Sequence, residues 1–94
     1  MEIIDLLGRV VYSRAGRDKE KYYIITSILN ENYVYISDGR LRKINKPKKK
    51  KLKHIIITEK FSVEIRDLIL NKEYLSNSKI YNFLEFDENT NKEV

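Results

Sequence analysis

The sequence predicts a mainly β protein: a five-stranded barrel followed by a C-terminal two-helix extension. Two observations carry this. Five short runs rich in β-branched and aromatic residues fit within the first 58 of the 94 residues, separated by tight-turn residues. After them the apolar spacing changes from the period of a strand to that of a helix. A small sheet of this kind removes its exposed edges by closing on itself.

The elements follow in order. Residues 1–7 are apolar-rich, and Ile3, Ile4, Leu6 and Leu7 suit either a short helical turn or an edge strand leading into the barrel. Residues 8–13 form the first predicted strand. Residues 22–28 form the second: Tyr22, Ile24 and Ile28 fall on one alternation and Tyr23 and Ile25 on the other, as in a strand covered on both faces. The same run fits a buried helix, but its β-branched content favours the strand. Asn30-Glu31-Asn32 reads as a turn. Residues 33–37 alternate, with Val34 and Ile36 expected inside and Tyr33 and Tyr35 outside. Asp38-Gly39 then predicts a tight type I′ hairpin, because both central positions of that turn need positive φ. Residues 40–44 are the expected return strand, ended by Pro47, which cannot donate to a ladder. Lys48 to Lys51 read as a solvated basic run, and residues 52–58 as the fifth strand.

The helical part starts at Ser62, an expected N-cap with Glu64 and Asp67 in the first turns. Ile65, Leu68 and Ile69 share one face; residues 71–75 break the pattern. Ser76 or Ser78 caps a second helix with the stripe Ile80, Phe83 and Leu84. Residues 87–94 are polar and aperiodic, and are expected to fray. The expected division is a barrel over 1–58 and a helical extension over 59–94, whose stripes cover one open end or one face of the barrel. A chain this short buries about 60–65% of its unfolded surface.

Composition narrows the function. There is no cysteine and one histidine, His54, so thiolate chemistry and histidine metal clusters are excluded. No apolar run is long enough to span a membrane, and the acidic start does not read as a signal peptide, so a cytoplasmic protein with no membrane partner is expected. No phosphate-cradling Walker pattern, metalloprotease motif or paired acids in an apolar setting occur; no enzymatic activity and no cofactor are expected. Charge is unevenly spread: residues 1–58 hold 14 Lys/Arg against 6 Asp/Glu, and residues 59–94 hold 5 against 8. Only the first part is suited to face a polyanion.

Three groups of residues are candidates for that contact. The acid-free segment 40–54 holds Arg40, Arg42, Lys43, Lys46, Lys48, Lys49, Lys50, Lys51 and Lys53. Such a cluster repels itself, and phosphates relieve that repulsion and release counterions. The bland alternative is a solvated loop in a lysine-rich chain, or a membrane or localisation patch. The turn with Arg14, Gly16, Arg17 and Lys19 can offer backbone N–H groups to a phosphate oxygen, with the arginines adding bidentate donors; an ordinary turn is its alternative. Outward Tyr33 and Tyr35 can stack on splayed bases, against the plainer reading of rim packing with the hydroxyl in water.

Gly8, the apolar Val11 three residues on, the turn Ala15-Gly16-Arg17-Asp18 and the apolar run 22–25 together resemble the KOW motif. The Gly-Arg-Val-Val start and Ala-Gly-Arg-Asp turn look most like small KOW proteins of the archaeal and eukaryotic large ribosomal subunit and the short bacterial proteins similar to them. The likeness spans roughly residues 5–54. It departs at Glu20, where many relatives carry a second glycine and where this chain places an acid. The resemblance implies an SH3-like barrel that binds RNA, usually in a ribosomal setting. The resulting expectation is a monomeric protein that contacts structured ribosomal RNA by phosphate and shape contacts. Gly16 would approach the RNA backbone, with Arg14, Arg17 and Lys19 on phosphates and the 40–53 strip beside them. A protein-docking barrel of a transcription or translation factor is the rival.

Overall fold

Val10 and Val11 are neighbours in sequence and both fully buried, as are Tyr23, Ile24 and Ile25. Successive strand residues point to opposite faces, so both faces of these strands must be covered. The computed structural model, which describes residues 2–16 and 19–86, explains how. Strands β1 (Arg9–Ser13) and β2 (Tyr22–Ile28) lie inside a five-stranded antiparallel sheet with β3 (Tyr33–Ser37), β4 (Lys48–Lys51) and β5 (Ile55–Phe61), in the order β4-β3-β2-β1-β5. One face gathers Val11, Tyr23, Ile25, Val34, Ile36 and Ile55 into a core. The other face buries Val10 and Ile24 against Ile65, Ile80 and Leu84 of the helices α1 (Val63–Leu70) and α2 (Asn77–Phe86). The predicted two-sided strand and the α2 stripe of Ile80, Phe83 and Leu84 are therefore observed; of the expected α1 stripe, Ile65 and Ile69 pack on this core and Leu68 does not, and the helices cover a face of the sheet.

A bulge at Thr26 refines the alternation. Ile25 pairs with Ile36, but Ser27 pairs with Tyr35, so β2 holds one extra residue there. The slip turns Ile28 to the face of Val34 and into the first core, away from the face it shares with Ile24 by simple alternation.

The helix ends match their sequence signals. Ser62 Oγ accepts the Ile65 N–H at 3.0 Å, and Ser76 Oγ accepts the Lys79 N–H at 3.1 Å. At the end of α1, Glu73 N donates to Leu68 O and Lys72 N to Ile69 O, with Lys72 at φ +57°. This is a Schellman close with a lysine where glycine is usual. At the chain start the helical alternative holds: Ile3–Leu6 is a 3-10 turn. It is fastened by two arginines. The guanidinium groups of Arg9 and Arg66 both lie against one ring, Phe61, at 5.0 and 4.3 Å from its centroid, and both donate to Asp5 O.

Three strand expectations are corrected. Residues 40–44 form no strand. Asp38 Oδ1 instead accepts the N–H groups of Arg40 and Arg42, both at 2.9 Å, and Ser37 Oγ donates to Arg42 O. Gly39 does have a positive φ, +79°, but the turn serves a longer loop seated under α2: a Cβ on Gly39 would lie 2.2 Å from Asn77 O, and Asn77 Oδ1 accepts the Ile44 N–H. The lysine run expected in solvent is strand β4 itself. The last strand has the expected length but begins and ends three residues later than expected, at Ile55–Phe61, after a 3-10 turn Leu52–His54. Residues 87–94, expected to fray, lie outside the described residues, as do Arg17 and Asp18.

The sheet is not closed by backbone hydrogen bonds, since β4 and β5 are its edges. It is nevertheless strongly curved. In a flat sheet β4 and β1 would stand three strand spacings apart, about 14 Å. Yet Lys50 of β4 donates from Nζ to Ala15 O, just beyond β1, at 2.7 Å.

Candidate nucleic-acid interface

Strand β4 consists of four lysines, and the strand period makes them unequal. Lys48 and Lys50 sit opposite Ile36 and Val34, whose side chains enter the first core. Lys49 and Lys51 sit opposite Tyr35 and Tyr33, on the outer face. Charged residues on an edge strand keep it from pairing with another chain, which is one reason lysines suit this position.

Lys50 is only 7% exposed. Its ammonium donates to Ala15 O at 2.7 Å, so the polar end of this inward side chain is hydrogen-bonded. The same ammonium lies 3.2 Å from where a Cβ would stand on Gly16, whose φ is +80°. Lys50 thus joins the two sequence-predicted sites, the basic segment and the Gly16 turn. A second tie runs from Arg14 N to His54 O at 2.9 Å. Arg14, Gly16 and Lys19 are exposed around this junction.

On the outer face Tyr33 is the focus. Lys49 Nζ lies 4.7 Å and Lys51 Nζ 5.8 Å from its ring centroid. Both lysines are within cation–π distance of the half-buried ring. Among the described residues no carboxylate pairs with Lys49, Lys51 or Lys53. Beside the ring is an open cleft of about 400 Å³ lined by Asn32, Tyr33, Lys51, Leu52 and Lys53. Its shape is set by Leu52 N donating to Asn32 O, which draws the 3-10 turn against the β2–β3 turn.

The rest of the strip is not on this face. Arg40 stacks on Tyr81 of α2, with its guanidinium 4.8 Å from the ring centroid and Nη1 donating to the hydroxyl at 3.0 Å. Lys43 and Lys46 are exposed on the loop between β3 and β4, Arg42 is half-buried there, and Lys48 is half-buried at the start of β4. The structure therefore gathers Arg14, Gly16, Lys49, Lys50, Lys51 and Lys53 and sets Arg40 apart. Asn32 and Leu52 are the residues of this site that sequence reading missed. The Asn30-Glu31-Asn32 turn signal placed Asn32 next to Tyr33, but nothing in the sequence pointed to Leu52 across the cleft.

Among the described residues no helix is long and apolar enough to cross a membrane. No protein-family model matches this chain, and no curated protein matches it.

Proposed function

We propose that this protein is a KOW-type, SH3-like barrel that binds RNA, with the outer face of β3 and β4 and the adjoining Gly16 turn as its contact surface. The observation that carries the reading is the meeting of the two basic candidates at Lys50, which ties strand β4 to the Gly16 turn. The curved five-stranded sheet, with a 3-10 link between β4 and β5, supports the barrel. The ribosomal setting follows from the KOW resemblance, and folded RNA is the expected class of ligand. Lysines on a rigid strand hold a fixed spacing, which suits phosphates along a backbone. Duplex RNA hides its base edges, so recognition through such contacts is weakly sequence-selective.

One feature favours the protein-docking alternative. A cleft of about 510 Å³ between β2, the 38–42 loop and α2 presents Leu41, 73% exposed, beside Tyr22 and Tyr81. Purification separates the two readings. An RNA binder carries nucleic acid through a low-salt column and sheds it in high salt, as ultraviolet absorbance reports. Protein free of nucleic acid at low salt, with no affinity for added RNA, would contradict the proposal.

A further inference from the structure

We infer that the cleft beside Tyr33 holds a single unpaired nucleotide of the bound RNA, with its base on the Tyr33 ring and its phosphates on Lys51 and Lys53. This rests on the RNA-binding reading and adds a substrate feature to it: a bulged or looped-out residue, in place of a fully paired stem.

Four observations lead here. The cleft's size, about 400 Å³, lies within the range of sites that hold small ligands. Its lining combines the Tyr33 ring and Leu52 with two lysines, Lys51 and Lys53, and one amide, Asn32. That is the composition a nucleotide needs: a flat apolar surface for the base, cations for the phosphates and an amide with both donor and acceptor for a base edge. Third, the two lysines over Tyr33 are held there by a weak attraction that exposed sites provide. A phosphate is the stronger partner, so the ammonium groups can turn to the backbone and leave the ring to the base. Fourth, Tyr33 stands on a paired strand, so its ring is held in place before the base arrives.

The test uses two fluorescently labelled RNA stems of the same length, one fully paired and one with a single bulged nucleotide, at the same low salt. The parent protein should bind the bulged stem roughly five- to a hundredfold more tightly, the range for one base stacked on an aromatic side chain. Tyr33→Leu should remove that preference, weakening the bulged stem far more than the paired one. Tyr33→Trp should keep the preference, and its indole fluorescence should be quenched by the bulged stem only. Circular dichroism of both variants checks that the fold is retained. Equal binding of the two stems by the parent, or an equal loss for both stems in Tyr33→Leu, would overturn the nucleotide site and leave the RNA reading standing. Failure to bind either stem would overturn both.

Discussion

Glu20 has φ +65°, in the left-handed region that costs a non-glycine residue roughly 1–2 kcal/mol. Its N–H donates to Ser13 O at 2.7 Å, so the turn that returns the chain into β2 enforces the conformation. This is also the position at which the sequence departs from KOW proteins by lacking a glycine. Glu20→Gly should therefore stabilise the fold by about 0.5–1 kcal/mol after the unfolded chain's added freedom is counted. In a domain of this size that is a rise in Tm of a few degrees. A Tm that stays level or falls would show that the turn relaxes differently. Gly39 is the opposite case. Adding a methyl group places carbon 2.2 Å from the backbone oxygen of Asn77, which begins α2 and cannot yield as a side chain can. Gly39→Ala should cost about 1–3 kcal/mol, read by denaturant unfolding; an unchanged midpoint would contradict the close seating of the loop. At Gly16 the nearby atom is the end of a lysine, so the backbone angle supplies most of the strain and Gly16→Val should cost less than its counterpart at Gly39.

At the scale of elements, β4 decides how the basic segment is understood. A run of four lysines has no alternation of residue type, so neither period nor face can be read from it. Asp38-Gly39 also suggested a hairpin and drew the return strand to residues 40–44. The pairing partner was legible in β3, where Val34 and Ile36 alternate with Tyr33 and Tyr35, but its register was not. That register depends on a long loop whose Ile44 packs in the second core and whose Gly39 fits under Asn77, contacts made over more than thirty residues. The consequence is a division of labour among identical side chains. Lys50→Gln should lower stability, because it removes the donor to Ala15 O. Lys49→Gln, at an exposed position, should leave stability within roughly 0.5 kcal/mol, and Lys51→Gln, at a half-buried one, should lower it less than Lys50→Gln does. Equal Tm values for all three variants would contradict the inward placement of Lys50. The Gly16 turn and Ser62 were easier to locate, since both follow from local chemistry: a positive φ and a capped helix end.

For the whole molecule the two-sided burial of β1 and β2 is the organising fact, and it was readable because both alternations of residues 22–25 are apolar. The helices are not an optional cover. Ile65, Ile80 and Leu84 are 1%, 0% and 7% exposed, and burying three such side chains contributes about 5–9 kcal/mol. That is comparable with the total stability of an ordinary domain. A chain ending after Phe61 keeps all five strands but exposes Val10 and Ile24, and should be unfolded or aggregated at room temperature. A soluble, cooperatively melting fragment of residues 1–61 would show that the first core is sufficient alone.

The central claim is that Lys49, Lys51 and Lys53 contact RNA phosphates from the outer face. Its most direct measurement is the slope of log affinity against log salt for the parent and for a variant with all three changed to glutamine, with Lys50 left in place to keep the fold. Each phosphate contact contributes about 0.7–0.9 to that slope. The variant should bind more weakly, with a slope flatter by about 2–3 units and a similar loss for RNAs of different sequence. A variant that folds as the parent does and keeps its affinity and its slope would contradict the claim.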